Sequence, residues 1–323
     1  MSPVDEVENR PAQNLRNENL AAFVGSAVVL VGLGIAIAVA RPASAPDDLS
    51  LLASVILGLV EGLTEYLPVS STGHLLIVQD LLGLGGTESA DLALDTYAIC
   101  IQAGAILAVL VLYQNRIRQM LAGVTGADAD GRRLLIATIA AFVPTVIIAL
   151  ALQDVVRSRL FGPVPIAIAW IVGGVAILLL VRTGRLNRAG QAVTELSVRQ
   201  AVIIGTAQAI ALWPGVSRSL VTIIAAVLVG LSLSAAVEFS FLLGLATLSA
   251  ATAFEALQNG SNLIDTFGWV APIVGLIVAF VSAVVAIRWM VGWLERRGFA
   301  IFGWYRIAAG IAVFIALASG LID

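Results

Sequence analysis

Long apolar segments, separated by short polar stretches, run through almost the whole chain. Several of them reach the roughly 20 residues that a helix needs to cross a hydrocarbon core about 30 Å thick. The sequence lacks the alternating segments of about ten residues that build membrane β-barrels. The pattern therefore predicts an all-α polytopic integral membrane protein. From residue 50 onward the apolar segments are 50–67, 72–83, 91–113, 133–153, 163–181, 198–213, 216–231, 234–256, 267–289 and 302–321.

The N-terminal part of the chain is interpreted separately. Residues 1–19 are polar and are predicted to be a disordered tail, whereas 20–40 are apolar. The sequence "ASA" at 43–45 resembles a signal-peptidase site, but the apolar run exceeds the usual length of about 7–15 residues, and Pro46 follows directly. We therefore expect residues 20–48 to be a retained anchor helix and linker, followed by a membrane domain at 49–323.

Two pairs of segments are too short to cross a membrane singly. They are 50–67 with 72–83 and 198–213 with 216–231, and a turn rich in proline and serine joins the members of each pair. Short helices broken at mid-membrane depth are typical of re-entrant hairpins. The sequence thus predicts two such hairpins.

The distribution of arginines gives an orientation. Arginines cluster in the predicted loops 114–133, 182–199 and 288–300, whereas 84–90 and 257–266 contain none. Loops rich in basic residues stay on the cytoplasmic side. With that assignment the segments alternate consistently only if the first hairpin opens outward and the second inward.

The two hairpins also resemble each other. At an offset of 147 positions Gly58 coincides with Gly205, and Glu61 with Gln208, within similar ridges of small residues. The turns "LPVSS" and "WPGVSRS" follow at nearly the same distance. Oppositely oriented repeats whose broken helices meet near the midplane are a known membrane architecture. We expect inverted-topology repeats with the site between the two turns.

Composition narrows the chemistry. Hydrophobic residues form 59% of the chain, charged residues 12%, and the formal net charge is −3. Nothing in this balance suggests a nucleic-acid partner. The single cysteine, Cys100, excludes a disulfide framework and a metal–thiolate site.

The first hairpin contains a carboxylate pair. Glu61 and Glu65 lie four residues apart and share one helix face. A carboxylate inside a bilayer needs a partner. Two such groups without a nearby basic residue suit a hard divalent cation, although distant arginines could also pair with them.

The turn after this pair is rich in hydroxyl groups. Ser70, Ser71 and Thr72 begin a helix after Pro68, where unpaired backbone N–H groups form a natural phosphate cradle. His74 follows Ser71 by one helical turn, so a serine–imidazole contact is predicted. A packing role for the histidine is the simpler alternative.

The second turn supplies a cation. Arg218 stands between Ser217 and Ser219, with Thr222 one turn further on. A planar guanidinium beside free N–H groups is suited to bind phosphate. Glu238, a third intramembrane acid, is expected either to orient Arg218 or to be structural. Together the two turns indicate phosphoryl transfer from a lipid-borne phosphate.

The segments "EGLTEYLPVSSTGH" and "ALWPGVSRSLVT" closely resemble the two signature motifs of the undecaprenyl-diphosphate phosphatase family, of the BacA/UppP type. The resemblance runs from about residue 49 to the C-terminus. It implies hydrolysis of undecaprenyl diphosphate at the outer face of the bacterial cytoplasmic membrane, which recycles the carrier for peptidoglycan synthesis and confers bacitracin resistance. It also implies interdigitated inverted repeats and a divalent cation, Mg²⁺ or Ca²⁺.

The resemblance assigns roles by motif position. Glu61 and Glu65 match the acids tied to metal and catalysis, Ser71 and His74 the essential serine and histidine, and Arg218 the diphosphate-binding arginine. Further hydroxyls expected at the diphosphate are those of Ser70, Thr72, Ser217, Ser219 and Thr222. The resemblance leaves open whether Ser71 attacks with His74 as base or His74 attacks directly.

Three positions depart from the family pattern. Leu220 replaces a usual glycine, Leu245-Ala246 replaces a common "VP", and Ala98 stands where an acid is frequent, with Asp95 one turn earlier. None belongs to the predicted catalytic set, so activity is expected to survive.

Two other functions fit parts of the pattern. Inverted repeats with broken helices also build transporters, so the chain could flip the prenyl phosphate carrier, with or without cleaving it. A third possibility is a non-catalytic relative, but such a protein would be expected to have lost some of the motif residues. The predicted partners are a polyprenyl diphosphate and membrane lipids; a homodimer is left open.

Overall fold

The computed structural model of the protein describes residues 49–184, 186 and 189–322. The predicted tail and anchor helix lie outside the described residues. The described chain is helical, apart from an isolated bridge between Gln191 and Leu231. Its α-helices are α1 Leu51–Thr64, α2 Ser71–Leu82, α3 Glu88–Leu112, α4 Gln114–Val124, α5 Ala129–Leu160, α6 Pro163–Arg182, α7 Val198–Gln208, α8 Arg218–Leu228, α9 Leu233–Phe267, α10 Val270–Arg297 and α11 Ala300–Ala318.

Six helices in the described part of the chain, namely α3, α5, α6, α9, α10 and α11, are long and apolar enough to cross a membrane. This confirms the prediction of a multi-pass α-helical membrane protein. The helices α1, α7 and α8 are apolar but shorter. A turn of 3₁₀-helix, Ala209–Leu212, extends α7 toward the second proline turn.

Helix starts follow local capping rules. The Ser50 hydroxyl accepts from the backbone N–H of Ala53 at 3.1 Å and caps α1. Asp128 caps α5 in the same way, through the N–H of Gly131 at 2.7 Å. Such caps satisfy backbone donors that the first helical turn leaves unpaired.

Three predicted loops were wrong, and one of them is 288–300, most of which continues α10 to Arg297. The loop at 114–133 contains the helix α4, which the arginine-rich composition concealed. The loop at 257–266 is the continuation of α9, which runs to Phe267. The Asn259 amide donates to Glu255 at 2.7 Å, and Leu263 packs into the core beside α3, so this polar segment has reasons to remain helical.

Close helix packing explains the small residues of the short helices. α1 packs along α10, and α7 packs along α5. A Cβ on Gly58 would lie 2.5 Å from the Gly275 carbonyl oxygen of α10. A Cβ on Gly205 would collide with the Ala141 carbonyl of α5. The remaining large contacts join α3 to both α9 and α10, and α6 to α11.

Candidate functional site

The two proline turns share an unusual backbone conformation. Ser70, with φ 75°, and Ser217, with φ 73°, are the non-glycine residues of the described chain that have positive φ. Each immediately precedes a helix, α2 or α8. Strained backbone of this kind costs about 1–3 kcal/mol per residue and clusters at functional sites. Both turns therefore keep a geometry that stability alone disfavours.

The second turn binds the backbone of the first. The Ser219 hydroxyl donates to the Leu67 carbonyl at 2.9 Å, and it lies 3.0 Å from the hydroxyl of Ser217. Ser219 is completely buried. The sequence prediction that the two turns meet is thus reproduced in the structure, but this hydroxyl acts as a link between them.

Arg218 and Glu65 form the centre of the site. The Arg218 Nη2 lies 3.0 Å from Glu65 Oε1, and its Nη1 donates to the Ser240 carbonyl at 3.0 Å. Gly244 of α9 leaves room for the guanidinium, because a Cβ there would lie 2.6 Å from Arg218 Cζ. The guanidinium also lies over the ring of Tyr66, 5.5 Å from its centroid. Both charged side chains are nearly buried, so water screens their attraction little.

Ser71 contacts this pair. Its hydroxyl donates to Glu65 Oε2, the carboxylate oxygen that faces away from the ion pair with Arg218. Ser71 begins α2 and is buried, as is Glu65, which follows the last residue of α1. One carboxylate thus connects the serine of the first turn to the arginine of the second.

The structure does not pair Ser71 with His74 as the predicted serine–imidazole contact would require. His74 Nδ1 lies 2.6 Å from the Ser70 carbonyl oxygen, and Nε2 lies 2.8 Å from the hydroxyl of Tyr305. A carbonyl oxygen only accepts, so Nδ1 carries a proton, and in the neutral imidazole Nε2 then accepts from Tyr305. The imidazole also packs against Trp170, with ring centroids 4.4 Å apart. His74 therefore faces α6 and α11, whereas Ser71 faces the end of α1.

Glu61 is the acid without a partner. It is fully buried, and neither of its carboxylate oxygens has a hydrogen-bond partner. It lines a cavity of about 430 Å³. The other residues that line the cavity are Thr72, Leu75, Leu76, Gln79, Asp95, Ala98, Ile99, Gln102 and Phe161. A buried charged group is costly unless something compensates it.

The hydroxyls that were predicted to bind phosphate differ in whether they already have partners within the protein. Thr72 is exposed and lines the cavity, while the side chain of Ser70 makes no capping hydrogen bond. Ser217 instead caps α8 through the Leu220 N–H at 3.3 Å. Thr222 is fully buried and contacts the Ser240 hydroxyl at 2.5 Å.

Glu238 does not orient Arg218. It binds Arg116 of α4, with 2.5 Å between Oε1 and Nε, and Arg116 also donates to Gln119 at 2.7 Å. Of the two roles left open for Glu238, the contacts therefore agree with the structural one, and its partner lies on α4, which was not recognised as a helix.

Two neighbours in α11 were missed from the sequence. Tyr305 binds His74, and Arg306 reaches the backbone of both turns. A signal was present, because an arginine within an apolar helix is a candidate functional residue by its cost alone.

The side chains of the described residues supply only part of the ligands that a metal ion would need. Among the described residues, no group of three or more His, Cys, Asp or Glu side chains could hold a metal ion. Both oxygens of Glu65 have protein partners, whereas those of Glu61 have none. A hydrated divalent cation needs only one or two protein carboxylates when phosphates supply the other oxygens. The donor set fits such an ion.

Comparison with known proteins gives a consistent family. The family described as bacitracin resistance protein BacA matches residues 54–312. The chain is similar to an undecaprenyl-diphosphatase of Sorangium cellulosum, with 44% identity over 80% of this chain and 84% of the relative. It is also similar to an undecaprenyl-diphosphatase 2 of Rhodospirillum rubrum, with 42% identity over 86% of this chain and 98% of the relative. An undecaprenyl-diphosphatase 1 of Chromobacterium violaceum is 42% identical over 84% of this chain and 98% of the relative. This chain therefore belongs to the BacA family.

Proposed function

We propose that this protein hydrolyses undecaprenyl diphosphate to undecaprenyl phosphate and inorganic phosphate, and so recycles the lipid carrier of cell-wall synthesis. The main support for this proposal is the chain of contacts from Ser71 through Glu65 to Arg218. It joins a nucleophile, a proton acceptor and a phosphate-binding cation across the two turns. The names of the similar proteins supply the substrate.

Arg218 is suited to hold the terminal phosphate. Its Nε is buried without a hydrogen-bond partner, while Nη1 and Nη2 are anchored to Ser240 and Glu65. The anchored guanidinium keeps a donor for a phosphate oxygen and needs little reorganisation as negative charge develops.

Ser71 is the nucleophile that the contacts favour. Its oxygen attacks the terminal phosphorus, the bond from that phosphorus to the bridging oxygen breaks, and Glu65 accepts the serine proton. Undecaprenyl phosphate leaves, and water then hydrolyses the phosphoserine to release inorganic phosphate. Direct attack by His74 is less favoured because Nε2 already accepts from Tyr305, and Nδ1 donates to Ser70.

Glu61 is the residue that would hold a divalent cation, Mg²⁺ or Ca²⁺, and Asp95 lies on the wall of the same cavity. Glu65, the second predicted ligand, already binds Ser71 and Arg218 through its two oxygens. The two orphaned oxygens of Glu61 support this assignment. When bound, such an ion neutralises charge on the diphosphate. The protein side chains contribute by orienting that diphosphate against Ser71.

The two halves of the chain are proposed to be inverted repeats with re-entrant hairpins. Ser70 and Ser217 share their φ at an offset of 147 positions, which is the offset of the hairpin resemblance. The packing is reciprocal as well, since α1 lies on α10 and α7 lies on α5. With arginine-rich loops on the cytoplasmic side, the first hairpin opens to the outer face, and the site faces the periplasm.

The test is phosphate release from undecaprenyl diphosphate by purified protein in detergent, with and without EDTA. Ser71→Ala and Arg218→Gln are expected to abolish release. Ser158→Ala and Arg199→Gln make the same chemical changes at exposed positions and are expected to retain it. Folded wild-type protein that binds the lipid without releasing phosphate would overturn the proposal in favour of a carrier.

A further inference from the structure

Arg306 contacts the backbone of both proline turns. It is completely buried in α11, and its guanidinium donates to carbonyls of both turns: Nη2 to Gly215 at 2.8 Å and Nη1 to Pro68 at 3.3 Å. Nη2 also donates to Ala169 of α6 at 2.9 Å. A rigid planar fork that binds three carbonyls fixes the distance between the groups that carry them.

The fold makes room for this guanidinium. A Cβ on Gly173 of α6 would lie 2.8 Å from Arg306 Nε and 2.9 Å from its Cζ. Arg218 rests on Gly244 in the same manner at the opposite side of the site. Each of the two buried arginines thus occupies space that a glycine leaves open.

The charge of Arg306 is not paired with a carboxylate of the described residues. Within the described part of the chain, no carboxylate oxygen lies within 4.0 Å of its nitrogen atoms. Its Nε is buried without a hydrogen-bond partner. Carbonyl dipoles compensate a buried cation only in part. Arg218 differs in this respect, because Glu65 neutralises it.

We propose that Arg306 is a positioning residue with an electrostatic role. It holds the two turns at a fixed separation, and its buried positive charge is neutralised by the diphosphate that binds between them. The inference rests on the proposed function, since it takes a lipid diphosphate as the ligand. Arg306 is thus a second cation that acts on the phosphate from a distance, in addition to Arg218, which contacts the phosphate.

The experiment separates charge from geometry. Arg306→Lys keeps the charge but loses the fork, whereas Arg306→Gln keeps hydrogen-bonding capacity but loses the charge. The probes are inorganic diphosphate, whose binding is measured as protection against thermal unfolding in detergent, and undecaprenyl diphosphate, for KM and kcat. Two charges about 10 Å apart, at an effective dielectric constant of about 20, change a binding constant by about tenfold.

We therefore expect Arg306→Gln to weaken diphosphate binding and raise KM by about tenfold. Arg306→Lys should leave binding within about threefold of wild type and lower kcat, because the turns are no longer held. Equal binding by wild type and Arg306→Gln would overturn the electrostatic role, as would equal losses in the two variants. Arg199→Gln, at an exposed arginine, controls for the overall change in charge.

A second variant keeps the test decisive if both substitutions prevent folding. Gly173→Ala displaces the guanidinium and leaves every charge in place. It should lower kcat with diphosphate binding unchanged, and an unaltered kcat would overturn the positioning role. Failure of wild type to bind diphosphate and release phosphate would count against the proposed function itself, whereas normal wild-type behaviour with an unchanged Arg306→Gln would count against this inference alone.

Discussion

Arg218 and Glu65 stand 153 residues apart in the chain and form an ion pair of 3.0 Å between the two proline turns. The carboxylate also accepts the hydroxyl of Ser71, so its two oxygens serve two different partners. A buried pair of this kind depends on both members, because removal of one leaves an uncompensated charge. The pair therefore links assembly of the site to assembly of the fold.

Glu65→Gln should separate binding from chemistry. The amide retains the shape of the carboxylate but cannot accept the Ser71 proton, so we expect kcat to fall by about 10²–10⁴-fold. Binding of inorganic diphosphate should be retained or tightened, since the carboxylate no longer competes with phosphate for Arg218. The measurements are phosphate release and diphosphate protection in thermal unfolding. Glu88→Gln, at an exposed acid, is the control, and a variant with normal kcat would contradict the assigned role.

Tyr305→Phe should distinguish the two candidate nucleophiles. The substitution removes the hydroxyl that His74 Nε2 accepts and leaves the ring in place. If Ser71 attacks, loss of this hydrogen bond should cost about 0.5–1.5 kcal/mol of stability and lower kcat several-fold through a less well-oriented imidazole. If His74 attacks, a freed Nε2 should maintain or raise kcat.

The covalent intermediate gives a direct check on the same question. Rapid quench in neutral sodium dodecyl sulfate, which preserves both phosphoserine and phosphohistidine, followed by mass spectrometry should find the phosphate on Ser71, and Ser71→Ala should trap none. A phosphate on His74 would reverse the assignment of the nucleophile.

Features that depend on residues close together in the chain could be predicted from the sequence, whereas the individual contacts between distant residues could not. Apolar runs and caps act over a few residues, so the apolar helices and the proline turns could be found without a structure, whereas the polar helix α4 could not. Ser71 illustrates the limit. Spacing along α2 makes His74 a feasible neighbour, but the choice of Glu65 depends on where α1 ends in space. The role of Glu238 stayed open for a related reason, because its partner Arg116 lies on a helix with few apolar residues.

Arg306 marks a different limit. Its cost inside an apolar helix could have been recognised from composition, yet its role depends on three carbonyls from separate parts of the chain. Hydropathy reports that such a residue is unusual, and only tertiary packing reports what it binds.

Close packing of the short helices predicts which glycines are essential. Gly205→Ala should destabilise the protein by about 1–3 kcal/mol, because its Cβ would collide with the Ala141 carbonyl of α5. Gly260→Ala, in α9, is the matched control. Nothing lies within 4 Å of its added Cβ, so the change should be neutral or stabilising by about 0.5–1 kcal/mol. Thermal unfolding in detergent measures both, and equal melting temperatures would contradict the packing argument.

Glu61 should determine cation affinity. Its two buried oxygens lack protein partners, and the residue lines a cavity that also has Asp95 and Gln102 on its walls. Glu61→Gln removes a negatively charged ligand, so the Kd for Mn²⁺, measured by electron paramagnetic resonance without substrate, should rise by about tenfold or more. Asp95→Asn should raise it less, because Mg²⁺-like ions retain water toward the outer wall of such cavities. Both variants should keep diphosphate binding in the absence of metal, since Arg218 remains in place. An unchanged Mn²⁺ affinity in Glu61→Gln, with the protein folded, would remove the cation from this cavity and leave Glu61 to be neutralised by a proton instead.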